Sequence, residues 1–205
     1  MEDVRGLRER KKAATKSALS QAALRLAMEK GSLDAVTADA IAAEAGVSTR
    51  TFHNYFPSKE EAFLYDFNEL TGLLLAGLRE RVAHQRVWDA FRDSCIALDL
   101  DNRFDLTQMQ CREELIHNSP QLIKYQAGQF MELFKEALGI VADATGTDPQ
   151  DMLPKLLLGN ALIAMKTANE HWIANPAGRT LAEAITEAFA LIDQGITGPT
   201  TTSHS

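Results

Sequence analysis

Only two cysteines, Cys95 and Cys111, occur in 205 residues, too few for a disulfide framework or a cysteine-built metal cluster. No apolar run reaches the ~18 residues that would suggest a membrane span. The charged first 17 residues lack the apolar core of a secretory signal. A reducing cytoplasm suits such a chain, with no membrane among its partners. Also missing are a Gly-rich phosphate loop, paired zinc ligands and a nucleophile with its base and orienter. Gly139, Gly146 and Gly159 are isolated. Enzymatic chemistry therefore has no candidate residues, and neither cofactor nor metal is expected. His84, His117 and His171 stand near helix ends at spacings that match no ligand motif, so polarity at a surface or pocket explains them better. The two cysteines read as small buried hydrophobes rather than a redox pair. Convincing strands, repeats and long linkers are absent too. What remains, 45% hydrophobic and 24% charged, is an ordinary globular composition, long enough for one good-sized core or two small ones.

Positive charge is scarce in total, at a net −7, but it is unevenly placed. Residues 1–60 hold 10 Lys or Arg against 8 Asp or Glu, whereas residues 61–205 hold 11 against 20. Arg5, Arg8, Arg10, Lys11, Lys12 and Lys16 concentrate the positive charge beside the first helix. Affinity for DNA depends on where such charge lies, not on the chain total.

The periodicity is helical throughout. A polar arm over 1–8 is expected to be mobile, followed by a helix from about Glu9 to Lys30, closed by Gly31. A long helix from Ser58 to about Ala83 carries Phe63, Phe67, Leu70, Leu74 and Leu78. Further helices are expected over Val87–Leu98, Phe104–Ile116, about 120–143, 150–173 and about Thr180–Gln194. Ser119-Pro120 and Asp148-Pro149 each supply a cap followed by proline at a helix start. The polar residues after Gly195 are expected to be disordered. The domains then divide into 9–57, 58–195 and a tail, 196–205.

The informative stretch is 37–60. Thr37 can cap a short helix, Ala38–Ala45, whose apolar face is Ile41, Ala42 and Ala45. Gly46 permits a tight turn, and Val47 plugs the corner. Ser48 or Thr49 caps a second short helix that buries Phe52 and Phe56 and turns Arg50, Thr51, His53, Asn54 and Tyr55 outward or along its edges. Pro57-Ser58 ends it and starts the next helix, with Glu61 placed for a capping box. Two short helices joined by a glycine turn form a helix-turn-helix, whose second helix enters the DNA major groove.

The pattern Thr37, Ile41-Ala42, Ala45-Gly46-Val47-Ser48, Thr51-Phe52 and Tyr55-Phe56-Pro57-Ser58-Lys59-Glu60, directly after a basic amphipathic helix, resembles the tetracycline-repressor (TetR) family of bacterial transcriptional regulators. The resemblance implies an all-α homodimer of about nine helices: three for DNA, and a larger domain with an effector pocket and the dimer surface. It places Thr37 on a threonine that touches phosphate and Lys59 on a lysine that does the same. Ser48, Thr49, Arg50, Thr51, His53, Asn54 and Tyr55 fall in or beside the recognition helix. His53 stands where many members have tyrosine, and Arg50 where glycine is common, so no relative's operator can be borrowed.

Arg50 suits guanine O6 and N7, with a phosphate clamp as the plainer alternative. Lys11, Lys12 and Lys16 suit backbone contact or a solvated face. Candidate pocket residues are Trp88, Phe91, Met109, Phe130, Phe134, Met165 and Trp172, with Arg112, Asn169 and His171 as polar anchors; core filling is the plainer role for each apolar one. Leu156, Gly159, Ile163, Leu181, Ile185, Phe189 and Ile192 make broad apolar faces on the last two helices, suited to a dimer interface. The expected function is a regulator, a repressor of a near-palindromic operator on double-stranded DNA, released by an apolar or amphipathic small-molecule effector. Activation or effector-independent repression is the alternative within DNA binding, and a helical dimeric interaction protein with vestigial DNA binding the alternative outside it.

Overall fold

The computed structural model describes the backbone of residues 2–100, 106–175 and 179–195, and the side chains of these except 2–5, 99–100 and 106–109. The described residues form nine α-helices and no strand: α1 (Glu2–Lys30), α2 (Ala38–Glu44), α3 (Thr49–Tyr55), α4 (Lys59–Arg81), α5 (Val87–Leu100), α6 (Leu106–His117), α7 (Pro120–Thr145), α8 (Met152–Ala174) and α9 (Leu181–Asp193). Two expectations change. α1 begins at Glu2, seven residues before the expected start at Glu9, because residues 6–14 are exposed all round and have no apolar stripe to mark them. Pro149 lies in a turn that Asp148 and Asp151 close, and the helix starts beyond it at Met152. Pro154 instead sits in the first turn of α8, where a missing N–H costs no helix bond. The supposed start at Phe104 and the tail 196–205 lie outside the described residues.

The helices form two compact units that do not follow the division expected at residue 58. Unit 1 takes residues 1–72 and 105–133; unit 2 takes 73–104 and 134–205. In unit 1 a single core joins Leu19 and Ala23 of α1, Leu33, Ile41, Phe52, Phe56 and Phe63 to Leu115, Ile116 and Leu122 of α6 and α7. These last three residues give the small amino-terminal domain the apolar support it needs.

Unit 2 is built on α8 and α9. Ala161, Ala164 and Ala168 of α8 are buried, so small side chains let neighbouring helices approach. Thr180 and Glu183 make a full capping box at the start of α9. The Trp88 and Phe189 ring centroids are 4.7 Å apart, and Trp88 Nε1–H donates to the Phe189 carbonyl at 3.3 Å. Burial pushes the Cys95 thiol up to about 12, and it donates to Met165 Sδ at 3.6 Å, so it stays protonated and unreactive.

Candidate nucleic-acid interface

Thr37 accepts from Ala40 N–H through Oγ1 at 3.2 Å and so fixes the start of α2. At the other end Val47 N–H bonds to Ala42 O at 2.9 Å and Gly46 N–H to Ala43 O at 3.0 Å, with Gly46 at φ +69°. This is a Schellman closure, which needs a left-handed residue after the cap. A Cβ built on Gly46 meets nothing within 4 Å, so Gly46→Ala should cost only the backbone strain, about 1–2 kcal/mol, read as a thermal midpoint lowered by a few degrees.

Ser48 caps α3, accepting from Thr51 N–H at 3.1 Å. Phe52 and Phe56 are fully buried, and Phe56 meets Tyr65 at 5.4 Å between centroids. Anchoring α3 on that side leaves Arg50, His53 and Asn54 exposed and Thr49, Thr51 and Tyr55 half-buried. Thr49 Oγ1 donates to Asp39 Oδ1 at 2.6 Å, and the Ser48 and Thr51 hydroxyls bond each other at 2.8 Å. Arg50, His53 and Asn54 are therefore the exposed side chains of α3 with donors to offer. Lys16 is drawn over the Phe56 and Tyr65 rings, 5.5 and 4.9 Å from their centroids.

Lys11 and Lys12 meet α3 across an open groove of about 700 Å³. Leu7, Arg8, Glu9 and Thr15 complete the α1 wall, and Thr51, Asn54 and Tyr55 form the other. Arg8, a member of the basic patch but not one of the candidate DNA contacts, stands on this wall beside Lys11 and Lys12.

Lys59, expected to contact phosphate, has partners within its own chain. Its Nζ donates to the carbonyls of Leu33 at 2.9 Å, Val36 at 3.1 Å and Asp34 at 3.3 Å. An ammonium has three N–H donors, and all three are spent on the connection leading into α2. Lys59 thereby ties that connection to the start of α4.

Other candidate positions also resolve. Arg112 lies over the Phe63 ring, 5.7 Å from its centroid, beside Asp66. Burial lowers the pKa of its guanidinium, and the Asp66 charge opposes that shift. Burial likewise raises the Asp66 carboxyl, while Arg112, Ser17 and Ser20 hold it down. Arg112 is thus committed inside unit 1 and is not a free anchor for an effector. Trp88 is committed to Phe189 in the same way, and of the pocket candidates only Trp88 borders a groove of about 410 Å³ along Leu153, Leu156 and Ile192. Phe91 is buried; Met165, Asn169, Trp172 and Phe134 are half-buried; Phe130 and His171 are exposed; the Met109 side chain lies outside those described. Asn169 Oδ1 is buried with no hydrogen-bond partner, as is Ser94 Oγ.

The dimer candidates split. Leu181, Ile185 and Phe189 are buried within unit 2 and have no surface left for a partner. Leu156 and Ile163 remain 53% and 61% exposed, joined by Met152 at 75% and Leu153 at 49%. A Cβ on Gly159 would meet nothing, and Ile192 is half-buried.

Residues 19–65 match the family described as bacterial regulatory proteins, tetR family, and residues 85–197 match the MftR C-terminal domain. No curated protein matches the chain. Among solved structures, FadR of Thermus thermophilus, a TetR family transcriptional repressor in complex with lauroyl-CoA, is 23% identical over 93% of this chain and 99% of that one, with a TM-score of 0.56. The fatty acid degradation regulator FadR of Bacillus halodurans is 16% identical over 89% and 96%, at 0.60. A SmeT–triclosan complex is 18% identical over 94% and 98%, at 0.58. Identities this low carry the fold alone.

Proposed function

The chain belongs to the tetR family of bacterial regulatory proteins, and from that premise we propose that it is a repressor: a homodimer that binds a near-palindromic operator and is released by an apolar or amphipathic small molecule. The observation that carries this reading is α3 itself, pinned by Phe52 and Phe56 on one side and left with Arg50, His53 and Asn54 exposed on the other. A helix held this way can lie in a major groove, and two of them related by a two-fold axis meet half-sites about one helical turn apart. Thr37, Lys11 and Lys12 then serve as backbone contacts, which position the protein without reading sequence.

The dimer surface in this proposal is the open face of α8 through Leu156, Gly159 and Ile163, with Ile192 beside it. Apolar side chains at three- and four-residue steps that the monomer leaves exposed support a helical partner. For the effector, Phe91, Met165 and Trp172 give an apolar lining, and Asn169 Oδ1 offers a buried acceptor that a ligand donor would satisfy. The lauroyl-CoA and triclosan of the two structural neighbours are consistent with a ligand carrying a large apolar part. Such a ligand weakens operator binding only by the difference between its affinities for the two states of the protein.

The test is to select an operator from a pool of random duplexes and compare Arg50→Ala with the natural chain. A base-reading Arg50 loses about 1–3 kcal/mol on the selected site and far less on random DNA. Equal losses on both would make Arg50 a phosphate clamp. If no duplex shows salt-dependent binding at nanomolar protein, the chain is a helical interaction protein instead.

A further inference from the structure

α2 carries two acidic side chains, and they meet different partners. Glu44, at its end, is paired with Arg25 of α1 at 3.2 Å. Asp39, in its first turn, is exposed, and among the described residues no cation pairs with it. Its side chain has a neutral partner instead: Thr49 Oγ1 donates to Asp39 Oδ1 at 2.6 Å.

Where that bond lies decides what the carboxylate can do. Thr49 is the first residue of α3, and Arg50 follows it. The neighbouring Ser48 and Thr51 hydroxyls bond each other, so Thr49 is the one that reaches back to α2. Its hydroxyl holds the Asp39 carboxylate at the amino-terminal end of the recognition helix, the end whose side chains meet base edges in a helix-turn-helix. The plainer role for Asp39, a favourable charge in the first turn of its own helix, calls for no bond to another helix.

An ionised carboxylate accepts hydrogen bonds and donates none. Thr49 occupies Oδ1, and among the described residues Oδ2 has no partner. On a surface that faces phosphates, an uncompensated anion weakens binding to every duplex unless a base amine meets it. In the major groove guanine shows N7 and O6 and thymine shows O4, all acceptors that repel a carboxylate. Adenine sets its N6 amine beside the acceptor N7. Cytosine alone offers an amine, N4, with no acceptor on the same edge. Arg50, one residue past Thr49, has the opposite character, with donors that suit guanine.

Resting on the DNA-binding role of α3 proposed above, we propose that Asp39 is a specificity-determining residue. Buttressed by Thr49, its carboxylate accepts from cytosine N4 and turns away the other three bases at one position of each half-site. α3 then reads the operator with one acidic side chain lent by α2, an acceptor in Asp39 beside a donor in Arg50.

The experiment selects duplexes from a random pool with the full natural chain, Asp39→Ala and Asp39→Asn in parallel. The side chain is exposed, and asparagine can still accept from Thr49, so circular dichroism and the thermal midpoint should show folded variants. The natural chain should select one cytosine in each half-site, preferred on the order of 10-fold over the other bases. Asp39→Ala should flatten that position while the remaining positions keep their preferences. Asp39→Asn should move it from cytosine to adenine, because an amide matches N6 and N7 together. If both variants select the natural site, or lose affinity evenly at every position, Asp39 only braces α2 against α3. That result overturns the proposal and leaves the helix-turn-helix reading intact. A natural chain that selects no duplex overturns both.

Discussion

Leu156→Glu combined with Ile163→Glu is expected to yield a folded monomer. Both side chains are more than half exposed in the single chain, so glutamates there stay hydrated and the helix content is kept. In a symmetric dimer built on this face, each carboxylate would be repeated by its two-fold mate, and four charges would be brought together and desolvated. Burial of unpaired charge costs several kcal/mol, enough to dissociate an interface of modest size. Sedimentation at micromolar concentration should report one chain in place of two. Operator affinity should drop by about 10²–10⁴-fold, since two half-sites no longer bind as one linked event. Binding to an isolated half-site should change little. A variant that remains dimeric would move the interface away from α8 and require another explanation for its exposed leucines and isoleucine.

The second large effect belongs to Lys59→Met. Methionine keeps much of the volume and removes the ammonium, leaving the carbonyls of Leu33, Asp34 and Val36 without their shared donor. Hydrogen bonds to a charged donor contribute more than neutral ones, and the Leu33 and Val36 bonds are partly buried, so a loss of about 2–4 kcal/mol is expected in urea or thermal unfolding. DNA affinity should fall with it, since the displaced connection runs directly into Thr37 and the start of α2. Lys59→Arg should recover only part of the stability, because a planar fork cannot converge on three carbonyls as a point-like ammonium does. A phosphate contact would give another pattern: unaltered stability and a salt slope lower by about one unit. That result would return Lys59 to the DNA surface.

Residue types told most where one local rule decides the outcome. Thr37, Ser48 and Ser58 cap helices as their side chains suggest, and Gly46 takes the left-handed turn that the corner requires. Phe52 and Phe56 also went inward as their spacing implied. Long-range competition is harder to see. α9 shows one apolar stripe, Leu181–Ile185–Phe189, that could serve the core or a partner equally, and nothing local says that Trp88 claims Phe189 first. Arg112 looks like an available cation until Asp66 is brought beside it from 46 residues away. Lys59 is the sharpest case, because its partners are backbone carbonyls 23 to 26 residues earlier, and backbone groups leave no mark in a sequence.

The core of unit 1 draws on Leu115, Ile116 and Leu122, while residues 73–104, which come between, belong to unit 2. On the ribosome this imposes an order of events. The helix-turn-helix emerges first but cannot complete its core until residues up to 133 have followed. At about 5–20 residues per second, that is a wait of several seconds after residue 72 appears, with Phe52, Phe56 and Phe63 only partly covered. A protein cut at residue 72 would hold the whole DNA-contacting motif and still expose the apolar face that α6 and α7 cover. The binding half of this regulator is therefore not separable as an amino-terminal fragment, and fusions made by cutting there should aggregate where ones that retain residues 1–133 have what unit 1 needs.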